Sequence, residues 1–210
     1  MKYNLPKGYL SYSAIDLWRK DRDGFRRRYY ENEKTFDNIY TMFGREVHEA
    51  IDREEKYTCI RLPKAEHKIQ VDIGGVQVLA YIDTFDPETC AFGEYKSGIR
   101  KPDGSPRWTQ KDVDKHDQLP FYSLLIQKKY SKKVNKTYLV WLETAKIENK
   151  TKRGGVVLDQ GDTLALTGHY ETFNRKILQR DRDRILRQIK KTAREISKDY
   201  TTYKQEHDRN

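Results

Sequence analysis

Apolar and polar residues alternate with a period of two over several stretches near the middle of the chain, the pattern of strands with distinct faces. Ile69, Val71 and Ile73 take the apolar positions of the run 68–73. Gly74-Gly75 is a two-residue hairpin signal; beyond it Val76, Val78, Ala80 and Ile82 alternate with Gln77, Leu79, Tyr81 and Asp83. Asp83 thus closes a strand, opposite its Val/Ala/Ile face. Asp86-Pro87-Glu88 supplies turn chemistry, because proline presets its own backbone and biases its predecessor toward extension. The next run sets Phe92, Glu94 and Lys96 on one face and Ala91, Gly93 and Tyr95 on the other. Glu94 and Lys96 stand roughly 6.5 Å apart along that face, and a paired strand lies about 4.8 Å away. If the two runs pair, Asp83, Glu94 and Lys96 converge. A further strand, 136–143, alternates Tyr138, Val140 and Leu142 with Thr137, Leu139 and Trp141, and reads as buried on both faces beside the site strands.

Helical spacing flanks this sheet. Ser13 precedes Ala14, Ile15, Leu17 and Trp18, with Asp16 three residues on, close to a capping box. Over 41–56, Phe43, Val47, Ala50 and Ile51 form an apolar stripe, and Gly44 and His48 share a face beside it. A lone histidine there reads as a core residue held by a hydrogen bond, yet the glycine lets a backbone or ligand approach closely. Gln118 and Tyr122 lie one turn apart on a helix at 112–130, which Pro120 must kink or begin; without further context the pair reads as a surface hydrogen bond. His116, two residues earlier, reads as structural. The loop 98–110 either covers a substrate or merely connects. A polar turn at 151–155 leads into a short run, 156–158. Phe173, Ile177, Ile185, Ile189, Ala193, Ile196 and Tyr200 then recur at three or four, which places a long helix at about 168–200 with a fraying tail from Thr201. Its outer face carries Arg180, Arg184, Arg187, Lys190, Lys191 and Arg194, and either tracks a nucleic-acid backbone or is simply solvated.

A chain of 210 residues suffices for one domain, 1–210. Its parts are a helical N-terminal region 9–56, a sheet-and-helix region 66–143 and the C-terminal helix. Lysine and arginine number 42 against 32 acidic residues, a net charge of +10, which suits a polyanionic partner or serves only to keep the protein dispersed. Arg26, Arg27 and Arg28 adjoin Tyr29 and Tyr30; they either grip phosphates and stack bases or form a solvated helix face with the tyrosines packed inward. Cys59 and Cys90, the two cysteines, form no C-x-x-C, which argues against a disulfide scaffold, a zinc site or an iron-sulfur cluster. No apolar run approaches a membrane span and no secretory signal opens the chain. A soluble intracellular protein with no membrane partner is expected, cytoplasmic in a bacterium or a phage-infected cell.

Two carboxylates and a lysine on adjoining strands have a chemical reading. Hard divalent cations take one or two carboxylates with waters and phosphate oxygens, and a lysine beside them can hold an attacking water or the charge developing on a phosphate. Asp83 followed by Glu94-Tyr95-Lys96 resembles the PD-(D/E)XK nuclease superfamily. Ser11-Tyr12-Ser13 at a helix start, Gly44-Arg45-Glu46-Val47-His48 and Gln118-Leu119-Pro120-Phe121-Tyr122 resemble, in order, the serine-rich, G-x-x-x-H and Q-x-x-x-Y motifs of its RecB-like branch of CRISPR-associated and phage-type exonucleases. The likeness covers roughly 9–142. It implies an α/β, restriction-endonuclease-like core, with a small mixed central sheet flanked by helices, to which the long C-terminal helix is added. It also implies a metal-dependent deoxyribonuclease, more exonuclease than endonuclease, in DNA repair, recombination or phage DNA processing. Residue by residue, it implies that His48, Asp83, Glu94 and the Tyr95 main-chain carbonyl hold magnesium or manganese, that Lys96 activates or orients water, and that Gln118 and Tyr122 steady Lys96 and the phosphate. Ser13 and Arg26 to Arg28 are the candidate DNA contacts, and DNA, single- or double-stranded, is the expected partner, with a homo-oligomer or a repair or recombination protein beside it. Branch members with a four-cysteine iron-sulfur cluster place ligands after the first helix and near the C-terminus; 20–25 here reads Lys-Asp-Arg-Asp-Gly-Phe, without cysteine or proline. The alternative from a different class is a catalytically silent nucleic-acid-binding or assembly subunit that keeps the fold.

Overall fold

Gly74 and Gly75 build the hairpin on which the sheet begins. In a computed structural model that describes residues 3–34, 38–52, 61–134, 136–153 and 156–207, β1 (Lys64–Asp72) pairs antiparallel with β2 (Gln77–Phe85). The two glycines have φ of 64° and 89°, the positive values that a tight hairpin turn demands of both central residues, and Ile73 N–H donates to the Val76 carbonyl at 2.8 Å. β3 (Phe92–Gly98) runs antiparallel to β2, but the two share only the pairs Thr84–Gly93 and Phe85–Phe92 before they part. Along its whole length β3 runs parallel to β4 (Thr137–Arg153), which pairs antiparallel with β5 (Val156–Asn174). The result is a mixed sheet in the order β1-β2-β3-β4-β5, forked between β2 and β3. Leu10 lines one prong: its N–H donates to the Gln77 carbonyl at 2.9 Å and its carbonyl accepts from Leu79 N–H at 2.8 Å.

Helices cover both faces because β3 and β4 are apolar on both. On one side α1 (Tyr12–Lys20), α5 (Gln118–Tyr130) and α6 (Gln179–His207) bury Ile15, Trp18, Leu125, Ile189 and Ile196 with Phe92, Leu139 and Trp141. On the other, α3 (Ile39–Asp52) lays Val47 and Ile51 against Tyr95, Val140 and Leu142. Two short helices, α2 (Arg22–Tyr29) and α4 (Gln110–Lys115), complete the set. The α/β architecture is therefore the expected one. Among the described residues no helix is long and apolar enough to cross a membrane.

Several boundaries differ from those the sequence suggests. Ser11, not Ser13, caps α1 by accepting the Ala14 N–H at 3.2 Å; Ser13 lies within the first turn, its hydroxyl 3.0 Å from that of Ser11. The helix expected at 112–130 is two helices that break at His116 and Asp117, and Pro120 takes the third position of α5, where its missing N–H has no helical acceptor to satisfy. The C-terminal helix does not begin near 168. Residues up to Asn174 belong to β5, where Phe173 pairs with Leu139, and α6 starts at Gln179 and continues past Thr201 to His207. Of the expected turn at 151–155, residues 151–153 belong to β4, whose Arg153 pairs with Val156 of β5, and 154 and 155 lie outside the described residues. Residues 53–56 of the expected third helix, and Cys59, lie outside the described residues, whereas Cys90 is a buried free thiol.

Candidate active site

The fork brings the expected residues together. Asp83 sits on β2 where the strands separate, and its Oδ2 accepts the Tyr95 N–H at 2.7 Å, a donor that faces the gap. Glu94, opposite on β3, is 3% exposed. Its Oε1 accepts from Lys96 Nζ at 2.5 Å and from Gln118 Nε2 at 2.6 Å, and Gln118 also donates to the Tyr122 hydroxyl at 2.7 Å. Gln118 thus links Tyr122 to the Glu94 oxygen that Lys96 also bonds. Glu94 Oε2 is buried and accepts no hydrogen bond from a described N–H or hydroxyl donor, although the Asp83 carboxyl stands within hydrogen-bond reach of the Glu94 carboxyl.

Electrostatics follow from this crowding. Burial pushes the Asp83 carboxyl well above the ordinary carboxylate range, and the Glu94 carboxyl within hydrogen-bond reach pushes it further, while the Tyr95 N–H and Lys96 act the other way. Burial works against the Lys96 charge, but Glu94 and Asp83 outweigh it and hold the ammonium above its usual value. The Tyr122 phenol is driven well up by burial and by the same two carboxylates, so it stays a neutral hydroxyl.

His48 stands at the edge of this group, its Nδ1 3.8 Å from Asp83 Oδ1. Gly44, one turn earlier, explains the approach of α3: a β-carbon there would lie 3.3 Å from Ser97 Oγ of β3. Among the described residues no three His, Cys, Asp or Glu side chains cluster as a ready-made ion cage. Two adjacent carboxylates, one with a buried oxygen that accepts no hydrogen bond from a described N–H or hydroxyl donor, nevertheless fit a cation that keeps waters and phosphate oxygens in its shell.

A cleft of about 1160 Å³ opens onto Lys96, Gln118 and Tyr122 and reaches outward past Ser11 and Ser13 to Lys7, Lys20, Arg28 and Lys34. Of the three consecutive arginines, Arg28 lines it. Arg26 turns away to Asp199 on α6, with Nε–Oδ2 at 3.0 Å and a second guanidinium nitrogen 2.5 Å from Oδ1. Arg27 lies 3.4 Å from Glu33 and 3.9 Å from Asp21. The inward-tyrosine reading holds for Tyr30, which donates to Asp199 at 2.9 Å and packs on Phe25, Tyr200 and Tyr203. Among the cleft residues absent from the set the sequence suggests are Tyr12, Arg45 and His116. Tyr12 and Arg45 lie inside motifs whose signal comes from their other positions. His116 would point elsewhere on a continuous helix, but it ends α4 in an extended conformation, so helical geometry does not set its direction. Its ring meets Trp108 edge-on at 5.0 Å; burial, and then the Lys96 ammonium, lower its pKa to about 4.

No family model and no curated protein matches the chain. Among solved structures, the crystal structure of a Eubacterium rectale protein named "Putative exonuclease" superposes with a TM-score of 0.56 at 10% identity, over 90% of this chain and 80% of that one. The two proteins share a fold. A second structure, that of SSO0001, aligns with a TM-score of 0.44 at 12% identity, over 88% of this chain and 75% of that one. The forked strands bring Asp83 and Glu94 beside each other, and Lys96, bonded to Glu94, lines the basic cleft.

Proposed function

We propose that the protein is a divalent-metal-dependent deoxyribonuclease that hydrolyses phosphodiester bonds and works as an exonuclease. The observation that carries the reading is the buried Glu94 Oε2, which accepts no hydrogen bond from the described N–H or hydroxyl donors, beside Asp83; Glu94 is bonded to Lys96, which lines a cleft rich in lysine and arginine. Asp83 and Glu94, with the Tyr95 carbonyl and His48 after a small movement, would hold magnesium or manganese. The ion would supply positive charge to a phosphate oxygen and make a water easier to deprotonate. Lys96, charged and already placed against Glu94, orients that water and balances the charge that grows on the phosphate. Gln118 and Tyr122 fix the Glu94 carboxylate, so that its second oxygen keeps one direction. Ser13, Lys20 and Arg28 meet the backbone of the bound DNA outside the reacting bond.

The test is incubation of labelled single- and double-stranded DNA with manganese. Cleavage is expected in the native protein and is lost in Lys96→Ala and in excess EDTA, while Lys96→Ala still binds DNA. Undiminished turnover in that variant, or cutting that persists under chelation, would overturn the assignment. Binding without cleavage in the native protein would favour the silent-subunit alternative.

A further inference from the structure

We propose that the groove between α1 and α6 is a second phosphate-binding track, which carries the backbone of the same nucleic acid outside the cleft; the inference rests on the nuclease reading. The groove encloses about 520 Å³ and is lined by Arg19 and Arg22 from the α1–α2 segment and by Arg184, Arg187 and Lys191 from α6, over Trp18. Five cations face two carboxylates. Asp117 meets Arg184 at 2.6 Å and Arg19 at 3.5 Å; Glu195 meets Arg22 at 3.1 Å, stands 3.9 Å from Lys191 and accepts the Trp18 indole N–H at 2.9 Å. Three positive charges remain in excess, and Arg187 forms no ion pair with any described residue. Glu195 and Asp117 hold their guanidinium partners in place, and a fixed guanidinium fork matches phosphate oxygens two at a time.

Spacing and position agree with a strand-like ligand. Arg184, Arg187 and Lys191 share one face of α6 at intervals of three and four, and they span about 10 Å of helix. The groove also adjoins the candidate active site. Asp117, which anchors two of its arginines, directly precedes Gln118, the donor to Glu94. α1 divides the two hollows and its end is basic toward both, with Lys20 lining the cleft and Arg19 and Arg22 the groove. A nucleic acid that crosses α1 meets cations on either side.

Arg187→Gln/Lys191→Gln removes two exposed charges without touching the cleft; Lys198→Gln/Lys204→Gln removes two from α6 outside the groove. Affinity for a long labelled single-stranded oligonucleotide, measured in EDTA across a salt series, reads the difference. The groove variant should lose about 1.4 from the slope of log affinity against log salt, at about 0.7 per phosphate contact, or roughly 25-fold in affinity near 0.1 M salt. The control variant should stay close to the native protein, and cleavage of a short oligonucleotide that reaches only the cleft should be unchanged. A native slope in the groove variant, or an equal loss in both variants, overturns the track. If the native protein cuts DNA while groove-variant binding is undisturbed, the track alone falls. If groove-variant binding weakens while the native protein cuts nothing, the track stands and the nuclease reading falls.

Discussion

Gly93→Ala tests whether the crotch of the fork is as tightly built as its geometry implies. Thr84 and Gly93 form one of only two pairs that join β2 to β3, and they adjoin Asp83 and Glu94 in sequence. A β-carbon at position 93 would lie 2.8 Å from Thr84 Cγ2, with Tyr138 Cδ2 at 3.6 Å and Cβ at 3.8 Å. Carbon atoms rest at about 3.5–4.0 Å, so the new methyl and the threonine methyl must separate by roughly 0.7–1.2 Å. Thr84 cannot swing aside freely, because it is 1% exposed and its hydroxyl accepts the Leu62 N–H at 2.7 Å. Overpacking of this kind costs about 1–3 kcal/mol. For a chain of this size that lowers the melting temperature by about 2–12 °C, which circular dichroism on heating measures directly. Adding Thr84→Ser to Gly93→Ala removes the offending methyl and keeps the hydroxyl, so the double variant should recover most of the loss, with a coupling above about 0.5 kcal/mol in the double-mutant cycle. An unchanged melting temperature in Gly93→Ala, or a double variant that recovers nothing, would refute the steric argument. Because the displacement reaches Glu94, cleavage should fall by more than stability alone explains, given that misplacement by about 1 Å can cost on the order of a hundredfold.

Asp83→Asn removes a crowded buried carboxylate, so in EDTA near neutral pH it should raise the melting temperature, and it should abolish both the cleavage and the thermal stabilisation by added manganese that the proposed function expects of the native protein; a lower melting temperature would count against the carboxylate pair. Its sign follows from the raised pKa: the contribution of Asp83 to stability is complete below the ordinary carboxylate range and is lost as pH rises through the native value. His116 runs the other way. Its imidazole falls from 6.5 to about 4 on folding, so its contribution is present above pH 6.5 and lost as pH falls toward 4, about 3 kcal/mol in all; His116→Gln should flatten that part of the denaturant-midpoint profile, and parallel profiles would contradict the assignment. Asp199→Asn weakens two bonds from Arg26 and one from Tyr30, so it should cost about 1–3 kcal/mol in urea titration; a neutral result would show that α2 and α6 are held by their aromatic contacts alone.

Strands whose two faces differ in polarity were legible in the sequence, and so were the residues that gather between them. The β1–β2 hairpin needs only its glycine pair and two alternating runs. The convergence of Asp83, Glu94 and Lys96 follows from the same period of two. The outer part of β4–β5 was not legible, since residues around Lys146 and Glu148 are exposed and present no apolar face for periodicity to register. Phe173 stands four residues from Ile177 and so imitates a helical repeat, although ladder pairing claims it for β5. Where β2 and β3 separate is equally silent, because strand parting depends on what Leu10 brings from far away. The Arg26–Asp199 pair joins residues 173 positions apart, beyond any local pattern.

Leu10 enters the sheet only when β2 exists to receive it, and Asn4 just before it is tied to Ser197 and Thr201, 193 and 197 residues downstream. One wall of the hollow is thus translated early and its moorings late, so a growing polypeptide carries Asp83 and Glu94 before the hollow around them can close. Assembly of the hollow is a late event that depends on long-range closure and is correspondingly slow. Pulse-labelled amide exchange should show Leu10 and Leu79 protected together with α6; protection of that pair ahead of the last helix would break the link.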